Sequence, residues 1–126
     1  MKIFIVEDDE QYAEFVCRSL AGKGFNDIKK FSSGESCLEA IRNYHIPSLV
    51  ILDYFLPGMN GLILHSTIKK EFPAVQTIIL SANSDANLVL DLVKKGIRKY
   101  VIKNEHVIDS LLALIEEDDD LFIGLH

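Results

Sequence analysis

Acidic side chains stand directly after two short apolar runs of this sequence. Glu7, Asp8 and Asp9 follow the run Ile3–Val6, and Asp53 follows the run Leu49–Leu52. If both runs are neighbouring strands of a parallel sheet, their carboxyl ends meet at one edge and bring these carboxylates together. Carboxylates crowded into one cleft repel one another unless a cation joins them. Oxygen ligands without His or Cys favour Mg²⁺, with Mn²⁺ as the second choice.

A hydroxyl and an amine follow two further apolar runs. Ser81 comes after Val75–Leu80, and Lys103 comes after Lys99–Ile102. Together with a metal ion, they could surround a phosphoryl group on three sides. Asp53 is the candidate nucleophile, because a carboxylate can form an acyl phosphate, and metal and lysine would neutralise charge on the transferring oxygens. Each residue alone could equally be a helix cap, a turn residue or a solvated charge, so only the joint pattern is specific.

Short apolar runs alternate with segments of helical period along the chain, which predicts an α/β fold. For a chain this short we expect a flavodoxin-like five-stranded parallel sheet of order 2-1-3-4-5, with helices on both faces. The predicted strands are Ile3–Val6, Ile28–Phe31, Leu49–Leu52, Val75–Leu80 and Lys99–Ile102. The predicted helices are Tyr12–Leu20, a second through Tyr44 capped by Ser32 or Ser33, a third from Asn60 to near Phe72, Asp85–Lys95 with Gly96 just past its end, and Val107–Ile115.

Length and charge restrict the classes of function. The 126 residues predict one domain, and a net charge of −6 argues against direct binding of nucleic acid and, weakly, of anionic membranes. No apolar stretch reaches the roughly 18 residues of a membrane span, and no signal peptide is visible. Cys17 and Cys37 are interpreted as small buried apolar residues, and the cytoplasm is the expected location. The four histidines are expected on the surface or in loops: His45, His65, His106 and His126.

The one shift in composition is the acidic run Glu116–Asp120. Acids at a helix C-terminus oppose the helix dipole, so the last helix should end or fray there. We therefore expect a domain over residues 1–116, followed by an acidic tail or the start of a linker over residues 117–126.

Four segments of the chain resemble the response-regulator receiver family of two-component signalling, and the resemblance extends over nearly the whole chain to about residue 116. The matching segments are Ile3–Asp9, Leu52–Gly61, Leu80–Ala82 and Tyr100–Lys103. The resemblance implies that Asp53 is the phosphoacceptor. Glu7 and Asp8 match the acidic pair of the family, with Asp8 a direct metal ligand and Glu7 acting through water, and the backbone carbonyl of Phe55 matches the third protein ligand. Asp9 falls outside the pair and is interpreted as a helix N-terminal residue.

The same resemblance implies a switch. Ser81 matches the hydroxyl that binds one phosphoryl oxygen, and Lys103 matches the lysine that pairs with another. Tyr100 matches the aromatic residue that turns inward when Ser81 is drawn toward the phosphate, although an ordinary half-buried strand aromatic is the alternative. Phe55 and Asn83 are expected to flank the attacking water. Because Phe55 cannot orient water, we expect a phosphoryl lifetime of minutes or longer.

One departure from the family pattern is Asn104, where a proline in a cis peptide is usual. A cis bond before a residue other than proline costs about 3–4 kcal/mol, so we predict a trans bond, an altered direction of Lys103 and a helix cap formed by Asn104.

A receiver domain implies a sensor histidine kinase or a histidine phosphotransfer protein as the phosphoryl donor. It also implies a downstream protein that reads the face formed by helix 4, strand 5 and helix 5; a homodimer is compatible with this. Such a domain is not an enzyme in the ordinary sense, since it catalyses only its own phosphorylation and dephosphorylation. A degenerate receiver that binds a partner without phosphorylation stays open as an alternative.

Two other classes fit poorly. A phosphatase of the haloacid dehalogenase type needs a second Asp two residues after the nucleophile, where this chain has Phe55. A flavin-binding module needs a phosphate-binding loop rich in glycine and hydroxyls after strand 1, where Glu7-Asp8-Asp9 would repel the phosphate.

Overall fold

The computed structural model describes the backbone of residues 1–82 and 86–124 and the side chains of residues 1–82 and 87–117. Strands and helices alternate through this part of the chain, as predicted. The strands are β1 (Lys2–Val6), β2 (Asp27–Phe31), β3 (Leu49–Asp53), β4 (Gln76–Ser81) and β5 (Tyr100–Ile102). The helices are α1 (Glu10–Ala21), α2 (Gly34–Asn43), α3 (Gly61–Glu71), α4 (Ala86–Lys94) and α5 (Val107–Gly124).

The five strands form one parallel sheet in the order β2-β1-β3-β4-β5, which confirms the predicted fold class. Side chains alternate between the two faces of each strand, as the period of two requires. Phe4 and Leu52 pack with α2, α3 and α4, whereas Ile5 and Ile51 pack with α1 and α5. Apolar residues on both faces explain why β3 reads as an uninterrupted apolar run.

Short polar side chains begin three helices, as the sequence predicts. Asp9 Oδ1 accepts from the N–H groups of Gln11 and Tyr12 at 3.0 and 3.2 Å and caps α1. Ser33 caps α2, and Asn60 caps α3. At the other end of α4, Gly96 adopts φ +79°, a conformation that favours glycine. Hydrogen bonds from Gly96 to Val93 and from Ile97 to Leu92 close this end.

The last helix corrects one prediction. α5 passes through the acidic run and continues to Gly124, so it does not end at Glu116. The dipole penalty applies to the last turn of a helix, and here the acids lie before that turn. Whether residues 117–126 act as a tail or a linker stays a prediction.

The position of His65 corrects a second prediction, that the four histidines lie on the surface or in loops. It lies on α3, is half-buried, and its Nδ1 is 2.8 Å from the hydroxyl of Thr77 on β4. Burial, with a smaller effect of Lys69, lowers the pKa of His65. No helix among the described residues is long and apolar enough to cross a bilayer.

Candidate functional site

Three carboxylates meet at the carboxyl edge of the sheet. Glu7 and Asp8 follow β1, Asp53 ends β3, and these two strands are paired so that Val6 lies beside Leu52. One carboxylate oxygen from each of the three acids lies within 4.8 Å of the other two. Glu7 and Asp53 are buried, whereas Asp8 is exposed. An acidic centre therefore opens to solvent on the side of Asp8.

Lys103 reaches this centre from the loop that follows β5. Its Nζ donates to Oε1 of Glu7 and to Oδ2 of Asp53, both at 2.8 Å. The Lys103–Asn104 peptide bond is trans, since no described residue has a cis bond. Backbone hydrogen bonds from the N–H of Lys103 to Ser81 and from the N–H of Asn104 to Ile102 fix the loop, and the lysine side chain points to the carboxylates. Whether this direction differs from that in receivers with the usual proline stays a prediction.

Asn104 also stabilises the start of the following helix. Its Oδ1 accepts from the N–H of His106 at 2.8 Å, and its carbonyl accepts from the N–H of Val107 at 3.1 Å. Asn104 therefore caps the turn that leads into α5, which begins at Val107.

Burial makes the charges of this site interdependent. Burial, followed by the neighbouring side chain of Asp53, raises the pKa of Glu7 to about 8, although Lys103 acts in the opposite direction. For Lys103, burial alone would lower the pKa, but the hydrogen bonds to Asp53 and Glu7 raise it above the ordinary value. A protonated Glu7 beside a charged Lys103 is the state expected near neutral pH when no other cation is present.

Glu7 Oε2 is buried and has no hydrogen-bond partner within the part of the chain that the structure describes. Buried carboxylate oxygens normally have a partner, so this atom needs an explanation such as an ion. The donor set consists of hard oxygen atoms, with one ligand residue open to water, which suits a hexacoordinate Mg²⁺ or Mn²⁺ ion. The residues therefore fit a divalent cation.

Space for a further group lies beside Asp8. An open cleft of about 450 Å³ is lined by Asp8 and by the loop after β3. The cleft is lined by Asp8, Tyr54, Phe55, Leu56, Pro57 and Asn60.

Ser81 and Tyr100 lie on the two strands beyond Asp53. Ser81 is buried at the end of β4, one residue past Leu80, which is paired with Asp53. Tyr100 begins β5 and is half-buried against the apolar cluster that covers the α2–α3–α4 face. Both positions match the predicted placement, while their roles stay predictions.

Phe55 and Asn83 are the two positions expected to affect dephosphorylation. The N–H of Phe55 donates to Oδ1 of Asp53 at 3.1 Å, and its side chain is 56% exposed and lines the cleft beside Asp8. The role of the Phe55 carbonyl as a metal ligand stays a prediction. Asn83 lies outside the described residues.

Two residues of this site were not predicted. Lys103 Nζ lies 4.6 Å from the centre of the Tyr12 ring, on the first turns of α1. A Cβ atom on Gly61 would lie 2.4 Å from the carbonyl oxygen of Asp53 and 2.8 Å from Tyr54 Cα, so only glycine lets α3 begin this close to β3. In the sequence, Tyr12 looks like part of an apolar helix face, and Gly61 lies in a segment that matches the receiver family but had no role assigned to it, so neither contact was predicted.

Comparison with known proteins gives a consistent result. Residues 3–116 match the family model described as the response regulator receiver domain. The DNA-binding transcriptional regulator NtrC of Escherichia coli K12 is 32% identical over 114 residues, which are 90% of this chain and 24% of NtrC. The DNA-binding response regulator MtrA of Mycolicibacterium paratuberculosis is 30% identical over 122 residues, which are 94% of this chain and 53% of MtrA. The chain thus spans about a quarter and about half of these two relatives.

A solved structure supports the fold. The CheY-like response regulator receiver domain protein of Methanospirillum hungatei JF-1 superposes with a TM-score of 0.80 at 23% identity, covering 94% of both chains. At this identity the likeness concerns the architecture alone.

Proposed function

This chain belongs to the response regulator receiver domain family, and we propose that Asp53 is its phosphoacceptor. The observation that carries this proposal is the meeting of Glu7, Asp8 and Asp53 with Lys103 at the carboxyl edge of the sheet. Charge of both signs around one reactive carboxylate is the arrangement that phosphoryl transfer needs.

We propose that Asp8 and Asp53 hold Mg²⁺, or Mn²⁺, directly, that Glu7 acts through a water molecule, and that the carbonyl of Phe55 completes the protein ligands. When bound, the cation supplies positive charge to the transferring oxygens. The raised pKa of Glu7 and its unpartnered Oε2 support this, because a cation would take the place of the proton that Glu7 otherwise holds.

The reaction is an in-line transfer to Asp53. A carboxylate oxygen of Asp53 attacks the phosphorus atom of a phosphohistidine, the new O–P bond forms as the P–N bond breaks, and the leaving imidazole nitrogen keeps the electron pair and takes up a proton. Lys103 then exchanges a carboxylate oxygen for a phosphoryl oxygen, and the hydroxyl of Ser81 donates to another. The donor is a sensor histidine kinase or a histidine phosphotransfer protein.

The output is a change of surface. When Ser81 moves toward the phosphoryl group, Tyr100 turns inward and alters the face formed by α4, β5 and α5. A downstream protein, or a second copy of this chain, reads that face. The domain acts on no other substrate; it catalyses only its own phosphorylation and dephosphorylation.

Intact mass after incubation with acetyl phosphate and Mg²⁺ tests the proposal. Wild type should gain about 80 Da, the mass of one phosphoryl group, and Asp53→Ala should gain nothing. Asp27→Ala is the matched control, because Asp27 is exposed at the opposite end of the sheet. A wild-type protein that stays unlabelled would instead favour a degenerate receiver.

The same preparation gives the phosphoryl lifetime. Because the side chain of Phe55 lines the cleft beside Asp8 but is apolar and cannot orient water, we expect a half-life of minutes or longer, measured as the decay of the labelled mass after the donor is removed. Phe55→Glu, which can orient water, should decay faster, whereas a wild-type half-life of seconds would contradict this view.

A further inference from the structure

The ammonium group of Lys103 has neighbours on three sides. Glu7 and Asp53 each accept a hydrogen bond at 2.8 Å, and the ring of Tyr12 lies 4.6 Å away. The two carboxylates are also the groups that a metal ion and a phosphoryl group would engage. Tyr12 is therefore the one of these three neighbours whose contact with Lys103 does not compete with the reaction.

Tyr12 is held in place by contacts that do not involve Lys103. Its N–H is bound by the Asp9 cap at 3.2 Å, its ring packs against the apolar cluster between the sheet and α1, and it contacts Phe15 at 5.8 Å between ring centres. A ring held by packing on one side and by Phe15 on another can direct a flexible four-carbon side chain.

The ring is the part of Tyr12 that acts on Lys103. The hydroxyl is buried and has no hydrogen-bond partner in the described part of the chain. An ammonium group near an aromatic ring is attracted by the electron-rich face of the ring, and this attraction strengthens where water is partly excluded.

We propose that Tyr12 is a positioning residue that holds Lys103 toward Asp53 while the lysine changes its hydrogen-bond partners from carboxylate to phosphoryl oxygen. This inference rests on the proposed phosphoacceptor function. Without the ring, the lysine samples more rotamers, and each productive arrangement becomes rarer. The effect should fall on the rate of phosphoryl transfer and leave the affinity for Mg²⁺ unchanged.

The experiment compares initial rates of Asp53 phosphorylation by acetyl phosphate at saturating Mg²⁺. Tyr12→Leu should be about three- to tenfold slower than wild type. Tyr12→Phe, which keeps the ring, should restore the rate. Tyr44→Leu makes the same change on an exposed tyrosine of the α2 end and should have no effect. Equal rates for Tyr12→Leu and wild type, or equal slowing by Phe and Leu, would overturn the proposal.

A double-mutant cycle shows whether Tyr12 acts through Lys103. In a Lys103→Ala background, adding Tyr12→Leu should cause no further slowing. A loss of the same size in both backgrounds would mean that Tyr12 has only a general structural role, which also overturns the proposal.

Two readouts keep the tests separate. If wild type itself is never phosphorylated, the proposed function fails, whereas a labelled wild type with an unaffected Tyr12→Leu variant refutes this inference alone. If Tyr12→Leu does not fold, NMR of the wild-type protein decides: the ε-methylene protons of Lys103, assigned with Lys103→Arg, should be shifted upfield by the ring relative to those of the other lysines. An unshifted signal refutes the contact.

Discussion

Two sets of charged side chains in this domain have opposite surroundings. Lys103 joins Glu7 and Asp53 inside the carboxyl edge of the sheet, where the side chains are 14%, 2% and 7% exposed. Arg42 joins Glu71 across α2 and α3, where the exposures are 47% and 36%. Arg42 makes two guanidinium contacts with Glu71, at 2.8 and 2.5 Å, whereas in the buried set Glu7 Oε2 has no partner among the residues that the structure describes.

The two sets show that forming an ion pair on the surface and placing charges in a buried site serve different ends, the first bearing on stability and the second on function. An exposed ion pair contributes little to folding, since water and salt screen it. Buried charges cost desolvation, and their geometry persists only where each is compensated. The uncompensated Glu7 oxygen among the described residues agrees with the proposed cation site.

Among the substitutions, the largest expected effect at pH 7 comes from removing the buried ammonium group of Lys103. Lys103→Ala leaves the buried carboxylate of Asp53 without a counter-charge and should destabilise the metal-free protein by about 3 kcal/mol. This is the lower end for a broken buried pair, because Glu7 holds a proton near pH 7 and adds little charge. Urea denaturation at pH 7 in the presence of a chelator measures this. Lys95→Ala, which removes an exposed partner of Asp91, is the control and should cost less than about 1 kcal/mol. If the two variants are equally stable, the buried set is not electrostatically distinct.

A second effect on stability should come from the binding of a cation beside Glu7. Mg²⁺ at a hundredfold excess over its Kd should stabilise wild type by about 2.7 kcal/mol, and Asp8→Ala should remove most of this gain. Thermal melts with MgCl₂, against NaCl of equal ionic strength, give the comparison. An equal response of wild type and Asp8→Ala would locate the ion elsewhere.

The pH dependence should be a gradual slope. The pKa of Glu7 is raised from 4.5 to about 8 in the fold, so between these values the folded state holds a proton that the unfolded state lacks. Metal-free stability should therefore fall as pH rises from about 4.5 to about 8, by at most about 1.4 kcal/mol per pH unit from this group. Glu7→Gln should flatten this slope in a series of denaturation curves. A Gln variant with an unchanged slope would assign the dependence to other groups.

The smallest effect belongs to the surface pair. Arg42→Ala should cost less than about 1 kcal/mol, and the loss should shrink further at high salt. Denaturation at low and high NaCl concentration measures it. A loss above about 2 kcal/mol that is insensitive to salt would remove the contrast between the two sets.

The sequence was sufficient where local patterns decide the structure. The apolar run before Asp53 predicted a strand buried on both faces, and Ser33 and Asn60 predicted helix starts, because capping and burial periodicity depend on near neighbours in the chain. The meeting of Asp8 and Asp53 followed from the strand order alone.

What could not be predicted depends on contacts between distant segments. The ring of Tyr12 beside Lys103 joins residues 91 positions apart (103 − 12), and no local pattern marks such a contact. The hydrogen bond of His65 to Thr77 likewise needs the packing of α3 on β4. For α5, the local charge argument failed because it assumed that the helix terminus coincides with the acidic run.

The close approach of Gly61 to Asp53 has a consequence for how this loop can vary. The N–H of Gly61 also donates to the carbonyl of Tyr54 at 3.1 Å. This hydrogen bond closes the loop from Tyr54 to Gly61 at its two ends. Extra residues inserted near Pro57 would lengthen this loop without moving Tyr54 or Gly61. A methyl group at position 61 would separate Gly61 from Tyr54 and tilt Asp53. The close contact at Gly61 is therefore the constrained feature of this loop, whereas the length of the loop is free to vary.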